Sequence, residues 1–208
     1  MTEENFAHGS SQLGEILLLG AEEIIGSSEI NAILNLVPMK PGLVKVNHSA
    51  PLKQRVNIDI AAVQQAFETF YGPRGGQGIA MRAGRASFKY LLRQYGVQLG
   101  MVGLNFRMLP VPTRLKTGLE TLAALMGQIG DDQVRVEDHE KGWMWKSQSC
   151  PICWERVSRE QACHFTAGLL QEFSSWASGG QFFGVTETMC RAKGDPVCLI
   201  QIEKKPLD

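Results

Sequence analysis

The hydrophobic pattern of the chain changes at Gly130, and this change constrains the fold more than any other feature of the sequence. Before Gly130, apolar residues recur at helical spacing, whereas after it short segments alternate apolar and polar residues. Two pairs of such segments flank one further helical segment and predict four strands, at residues 134–138, 143–146, 182–189 and 197–203. The order predicts an α+β domain, in which N-terminal helices are followed by an antiparallel ββ-α-ββ sheet with helices packed on it.

The helical segments differ in how clearly their ends are marked. Residues 1–11 are expected to be disordered, and a break near Gly26 divides the next segment into two short helices. Residues 38–53 contain three prolines and predict a loop, or an isolated strand around residues 43–46. Further helices are predicted at residues 59–71, 79–95, 115–129 and 158–178, the last with a capping arrangement at Ser158.

The glycine-rich segment at residues 72–78 separates two of these helices. It lacks the Gly-Lys-Ser/Thr ending of a phosphate-binding loop, and no third glycine follows at Met81. We therefore interpret it as a turn combined with close helix packing.

The charge balance excludes several classes of function. The 208 residues include 21 Lys and Arg and 21 Asp and Glu, so the formal net charge is zero. Nucleic-acid binding and adhesion to anionic membranes both need a surplus of basic residues, and neither is expected here. The N-terminus lacks the basic start and apolar run of a signal peptide, and Glu22 and Glu23 interrupt the most apolar stretch. We expect a cytoplasmic protein without a membrane span.

Thiols stay reduced in the cytoplasm, so clustered cysteines there indicate metal or redox chemistry before disulfides. The five cysteines are Cys150, Cys153, Cys163, Cys190 and Cys198, with Glu187 three residues before Cys190. Zinc takes four such ligands tetrahedrally. Glu187 and Cys190 would point to opposite faces of a regular strand, so the strand must end or bend between them for both to bind one ion. Small buried cysteines and a redox Cys-x-x-Cys pair are the alternatives, although the pair lies in no βαβ unit.

The spacing of these residues resembles the 4-vinyl-reductase domain, also called the predicted hydrocarbon-binding domain. The similarity rests on Glu187-x-x-Cys190, Cys198 after seven further residues, Gly194-Asp before that cysteine, and a cysteine-containing helix about 24 residues upstream. The specific match covers residues 130–203. That family is related to phenol-sensing domains of bacterial regulators and, in fold, to TRAPP vesicle-tethering subunits.

The resemblance implies a fold, a metal site and a ligand. It implies that residues 37–208 form a ligand-binding domain of the TRAPP-like or NO-signalling type. A helical extension at residues 1–36 precedes this domain. It implies a homodimer and a zinc ion held by Cys163, Glu187, Cys190 and Cys198, with Cys150 and Cys153 as possible extra ligands. Four protein ligands leave no position for water, so the zinc would be structural.

Trp143 and Trp145 lie on one side of the first predicted hairpin and either pack in the core or line an apolar ligand pocket. The phenol sensors have a Trp in this region and a His that anchors the phenol hydroxyl, but no His matches here. The leading hypothesis is therefore a non-catalytic domain that binds an apolar or tetrapyrrole-like small molecule. A dimeric interaction module, an accessory role in bacteriochlorophyll synthesis and a metalloenzyme are the alternatives.

Overall fold

Helices occupy the first two thirds of the chain and strands dominate the last third. The computed structural model describes residues 6–37, 59–130 and 132–207. The helices are α1 (Phe6–Ile25), α2 (Ser27–Leu34), α3 (Ile60–Tyr71), α4 (Pro73–Tyr95), α5 (Leu104–Arg107), α6 (Val111–Ile129) and α7 (His164–Ser178). The strands are β1 (Val134–Asp138), β2 (Gly142–Ser147), β3 (Phe183–Met189) and β4 (Cys198–Pro206). The predicted α+β class and ββ-α-ββ order are confirmed.

The four strands form one antiparallel sheet in the order β1-β2-β4-β3. The two hairpins meet between β2 and β4, where Trp143 pairs with Ile202 and Trp145 with Ile200. These four side chains are buried and alternate with half-exposed neighbours, which is the pattern of a sheet covered on one side. Helix α6 contacts β1 and β2, and α7 contacts β3, so the helices cover the buried face.

Helix α4 is the centre of the helical part, because it packs against α1, α3 and α7. Its contact with α7 is unusually close. A Cβ atom on Gly84 would lie 2.1 Å from the carbonyl oxygen of Phe165, and one on Gly168 would lie 2.0 Å from that of Met81. Only glycine allows the two backbones to approach this closely.

The glycine-rich segment is helical, so the predicted turn and the predicted start of the helix at residue 79 are wrong. Pro73 occupies the first turn of α4, where its fixed φ suits a helix and its missing N–H costs nothing. The chain reverses instead at Gly72, with φ of 76°. The predicted close packing is present, because a Cβ on Gly76 would lie 2.4 Å from the backbone nitrogen of Glu68.

The start predicted for the last helix is also wrong, because α7 begins at His164 rather than Ser158. The Ser158 hydroxyl accepts a hydrogen bond from the Glu160 N–H, and the Ser158 N–H donates to the Ala192 carbonyl. This second bond draws the segment to the turn between β3 and β4, away from the axis of α7. Residues 158–163 therefore form a loop.

The N-terminal helices belong to the same core as the rest of the chain. The break at Gly26 is confirmed, but α1 begins at Phe6, within the segment expected to be disordered. Helix α1 packs on α4 and α6 and contributes Ile16, Leu18 and other residues to one hydrophobic core. A domain boundary at residue 36 stays a prediction, and the loop or strand predicted within residues 38–53 lies outside the described residues. No helix in the described ranges is long and apolar enough to span a bilayer.

Candidate functional site

Five buried cysteines from four separate segments meet at one end of the sheet. Cys150 and Cys153 bound a short 3₁₀ turn after β2, and Cys163 is the residue before the first turn of α7. Cys190 directly follows β3, and Cys198 begins β4. All five are free thiols with exposed fractions of 7 % or less. The fold therefore brings together every cysteine of the chain.

The sulfur atoms are in direct contact. The Cys153 Sγ lies 3.4 Å from the Cys163 Sγ, 3.5 Å from the Cys190 Sγ and 3.4 Å from the Cys198 Sγ. The Cys150 Sγ lies 3.4 Å from the Cys163 Sγ. Two sets of four ligand atoms lie within 4.8 Å of one another, namely Cys150, Cys153, Cys163 and Cys198, and Cys163, Glu187, Cys190 and Cys198. This cluster is able to hold a metal ion.

Glu187 reaches the cluster because strand β3 is irregular. The register against β4 shifts between Glu187 and Met189, which is the bend that the spacing to Cys190 requires. The Glu187 Oε2 accepts a 2.8 Å hydrogen bond from the Cys163 N–H, while its Oε1 is buried without a hydrogen-bond partner in the described structure. Burial raises the pKa of Glu187 to about 8.

The turn between β3 and β4 holds Cys190 and Cys198 by backbone hydrogen bonds. The Cys190 carbonyl accepts from the N–H groups of Lys193 and Asp195, and the Asp195 carboxylate accepts from the Cys190 N–H at 2.7 Å. Gly194 has φ of 99°, which favours glycine at this position. The Arg191 N–H points at the Cys198 Sγ at 3.3 Å, a contact that stabilises a thiolate.

Hydrogen bonding among the thiols shifts their pKa values in opposite directions. The bond with Cys153 is the main reason that the pKa of Cys150 lies well below the usual range of a thiol. The bond with Cys150 is the main reason that the pKa of Cys163 lies well above that range. The pKa values of these two thiols are therefore shifted in opposite directions, although their sulfur atoms are in contact.

A network of polar side chains attaches the cysteine cluster to helix α3. The Arg156 guanidinium donates to both carboxylate oxygens of Glu68 at 2.9 Å. The Gln64 amide donates to the Ala162 carbonyl at 2.5 Å. His164 is largely buried near this ion pair, and burial lowers its pKa. The pairing of Glu68 with Arg156 was not identified from the sequence, because α3 and the loop are about 90 residues apart.

A buried carboxylate lies at the end of strand β2, close to the cluster. Ser147 pairs with Cys198 across the sheet, and its Oγ lies 2.6 and 2.8 Å from the two carboxylate oxygens of Asp132. Burial raises the pKa of Asp132. No sequence pattern indicates this pair, because Asp132 lies in a short segment between helix α6 and strand β1.

Trp143 and Trp145 share the buried face of the sheet, as their spacing predicts. Their exposed fractions are 2 % and 1 %, and the indole Nε1 of each is buried without a hydrogen-bond partner in the described structure. The Lys204 ammonium lies 5.6 Å from the centroid of the Trp143 ring. Buried indole N–H groups usually have an acceptor, so two adjacent ones without any are unusual.

Comparison with known proteins identifies the fold. No family model matches the chain, and no curated protein does either. Solved structures of H-NOX domains do match. An oxygen-binding H-NOX domain related to soluble guanylate cyclases is 16 % identical, with a TM-score of 0.56 over 96 % of this chain and 97 % of that one.

Two further H-NOX structures agree. A point mutant of the T. tengcongensis protein is 14 % identical, with a TM-score of 0.58 over 96 % of this chain and 100 % of that one. The S. oneidensis protein in its Fe(II)NO state is 12 % identical, with a TM-score of 0.57 over 93 % and 99 %. The expected NO-signalling type of fold is thereby confirmed.

Two further matching H-NOX structures concern haem, but the described histidines of this chain are not placed to hold its iron. Iron in haem proteins needs an axial ligand such as His, Cys or Tyr. His139 is half-exposed in the β1–β2 turn, and His164 lies beside the cysteine cluster. The contact of α4 with α7 is closed by Gly84 and Gly168, which leaves no space there for a macrocycle. The chain therefore has an H-NOX-like fold, and its described residues include a cluster of five cysteines and one glutamate that could hold a metal ion.

Proposed function

We propose that this domain binds a small, largely apolar molecule against the face of the sheet that carries Trp143 and Trp145, and that a structural zinc ion holds the domain together. The observation that carries the binding proposal is the pair of buried indole N–H groups without acceptors. An unsatisfied buried donor costs about 1–3 kcal/mol. A ligand that offers an acceptor to either indole would recover this cost.

The chemistry around the two indoles indicates the class of ligand. Their cross-strand neighbours Ile200 and Ile202 are buried and apolar, and the Lys204 ammonium lies over the Trp143 ring. A neutral molecule with an aromatic or aliphatic body and one hydrogen-bond acceptor matches this lining. The bound molecule would be oriented by the indoles and shielded from water by the helices.

Zinc is the metal proposed for the cysteine cluster. Cys163, Cys190 and Cys198 supply three ligands, and the resemblance assigns the fourth position to Glu187. These ligands join the start of α7 to both ends of the β3–β4 turn, so binding of the ion and folding of this region would be coupled. Buried ligands in surplus leave no open position for a reacting water, which disfavours the metalloenzyme alternative.

The experiment that tests ligand binding is extraction of the purified protein with organic solvent, followed by mass spectrometry of the extract. Trp145→Phe keeps an aromatic side chain but removes the indole N–H group, and Trp154→Phe, at an exposed position, is the matched control. We expect a recurrent apolar compound from the wild type and the control, and several-fold less from Trp145→Phe. Extracts that hold no such compound, or equal amounts from all three proteins, would refute the binding proposal.

The dimer and an accessory role in tetrapyrrole synthesis stay predictions. No contact in the described structure favours either one over the ligand-binding proposal.

A further inference from the structure

We propose that the metal centre is all-sulfur, with Cys153 as the fourth ligand beside Cys163, Cys190 and Cys198, in the position that the resemblance assigns to Glu187. The inference rests on the proposed function only in that a metal ion binds in the cysteine cluster. It gives a role to a cysteine that lies outside the four-ligand pattern of the resembling family.

The distances between sulfur atoms support this set. A tetrahedral zinc ion with Zn–S bonds of about 2.3 Å separates its four sulfurs by about 3.8 Å. The Cys153 Sγ lies at 3.4, 3.5 and 3.4 Å from the sulfurs of Cys163, Cys190 and Cys198. Those three sulfurs lie within 4.8 Å of one another. Cys153 is thus nearly equidistant from the other three, as the apex of a tetrahedron is.

The backbone holds Cys153 in this place without help from a metal. Its N–H donates to the Cys150 carbonyl, and its carbonyl accepts from the Arg156 N–H. The Arg156 side chain is anchored in turn by both oxygens of Glu68. A ligand on such a fixed turn approaches the ion at little cost in conformational entropy.

Glu187 has a different task in this arrangement. Its Oε2 already accepts the Cys163 N–H at 2.8 Å, so it fixes the backbone from which that ligand projects into the centre. If Glu187 were the fourth ligand, the Cys153 thiol would contact three metal-bound sulfurs with a single proton to donate. Closed structural zinc sites are built from cysteine and histidine, whereas carboxylates occur in catalytic ones. Glu187 is therefore a positioning residue.

Cys150 is the fifth thiol and provides the control. Its Sγ lies 3.4 Å from the Cys163 Sγ in the same buried cluster. The proposed set already has four ligands without it. Cys150→Ser should leave the ion with four sulfurs, whereas Cys153→Ser should leave it with three.

The test is zinc content together with zinc K-edge X-ray absorption of the full-length protein, zinc-loaded and free of excess metal. We expect one zinc per chain with four sulfurs at about 2.3 Å, unchanged in Glu187→Gln and in Cys150→Ser and reduced to three sulfurs in Cys153→Ser. If Cys153→Ser fails to fold, the wild type, Glu187→Gln and Cys150→Ser still decide, because four sulfurs in all three leave only Cys153, Cys163, Cys190 and Cys198 as ligands. Three sulfurs in Cys150→Ser would overturn the proposal in favour of the set with Cys150.

Three sulfurs and one oxygen in the wild type, with the oxygen lost in Glu187→Gln, would overturn the proposal. Two zinc ions per chain would overturn it as well. A wild-type protein that binds no zinc would instead refute the proposed metal site itself.

Discussion

At the scale of single residues, two glycines determine how closely α4 and α7 approach each other. Gly84 faces the backbone of Phe165 and Gly168 faces that of Met81, so each helix supplies one glycine to the contact. The added methyl group would meet backbone atoms rather than the end of a flexible side chain. The helices could only accept it by moving apart, which disturbs the packing of the core.

We predict that Gly84→Ala lowers the free energy of unfolding by about 3 kcal/mol. Gly78→Ala, on the same helix but with nothing within 4 Å of its added Cβ, should be neutral or raise it by up to about 1 kcal/mol. Urea unfolding of the two variants measures both effects. Equal effects of the two substitutions would contradict the close backbone contact.

A second residue-scale prediction concerns the buried carboxyl group of Asp132. Because burial raises its pKa in the folded protein, the folded state binds this proton more tightly than the unfolded state does. Stability from this group is therefore fully present below the unfolded value near 3.8 and is lost as the pH rises through the raised pKa. The wild type should lose stability relative to Asp132→Asn as the pH rises above about 4.

Asp138→Asn is the control for the sign of this effect. Hydrogen bonds from Lys204 and Lys116 lower the pKa of Asp138, so its contribution is present above the unfolded pKa and is lost as the pH falls. The difference in free energy of unfolding between the wild type and Asp138→Asn should therefore change with pH in the direction opposite to that expected for Asp132→Asn. Urea melts of the three proteins across the pH range give both slopes, and the same slope for both variants would count against the burial of Asp132.

The sequence allowed the cysteines and Glu187 to be identified as candidate ligands but did not show how they share one centre. Spacing along the chain predicted that the strand ends or bends between Glu187 and Cys190, because period-two alternation would otherwise point the two side chains to opposite faces. It could not predict that Cys153 lies 3.4 Å from Cys198, since that contact depends on how the loop after β2 folds back. Polar partners such as Glu68 and Arg156 have no sequence pattern at all.

At the scale of elements, the loop that carries Cys153 connects the helical layer to the sheet. The ion pair of Arg156 with Glu68 fastens it to α3, and the hydrogen bond from Ser158 to Ala192 fastens it to the β3–β4 turn. The Arg156 side chain is 6 % exposed and that of Glu68 is 23 % exposed. Breaking such a pair from one side leaves a charge without a partner in a poorly solvated place.

We predict that Glu68→Ala lowers the free energy of unfolding by about 3 kcal/mol. Glu172→Ala breaks a comparable pair with Arg85 whose members are 37 % and 45 % exposed, so it should cost less than about 1 kcal/mol. Thermal or urea unfolding separates the two cases. A loss of the same small size in both variants would show that the buried pair does not anchor the loop.

The ends of elements were less predictable than their existence. Helix α4 begins six residues before the predicted start because glycines that usually break helices are tolerated where α3 packs against them. Helix α7 begins later than predicted because Ser158 bonds to the turn after β3 instead of capping a helix. Both errors come from tertiary contacts that override local preference.

At the scale of the whole molecule, the change of pattern at Gly130 was sufficient to predict the architecture. Apolar residues recur at helical spacing before Gly130 and alternate with polar residues after it. The structure has one sheet, which α6 and α7 cover on one face. The similarity to H-NOX domains extends over almost the whole chain at 12–16 % identity, so it shows the fold and not the function. The identity of a ligand depends on the lining of its site, which the composition of the chain does not show.

The central claim is that a metal ion in the cysteine cluster holds this fold together. The most direct measurement is native mass spectrometry of the purified full-length chain, combined with its melting temperature before and after chelation. We predict the mass of one chain with one zinc ion, and a fall in melting temperature of about 10 °C or more when a chelator removes it. A chain that carries no metal, with a melting temperature that the chelator leaves unchanged, would contradict the account.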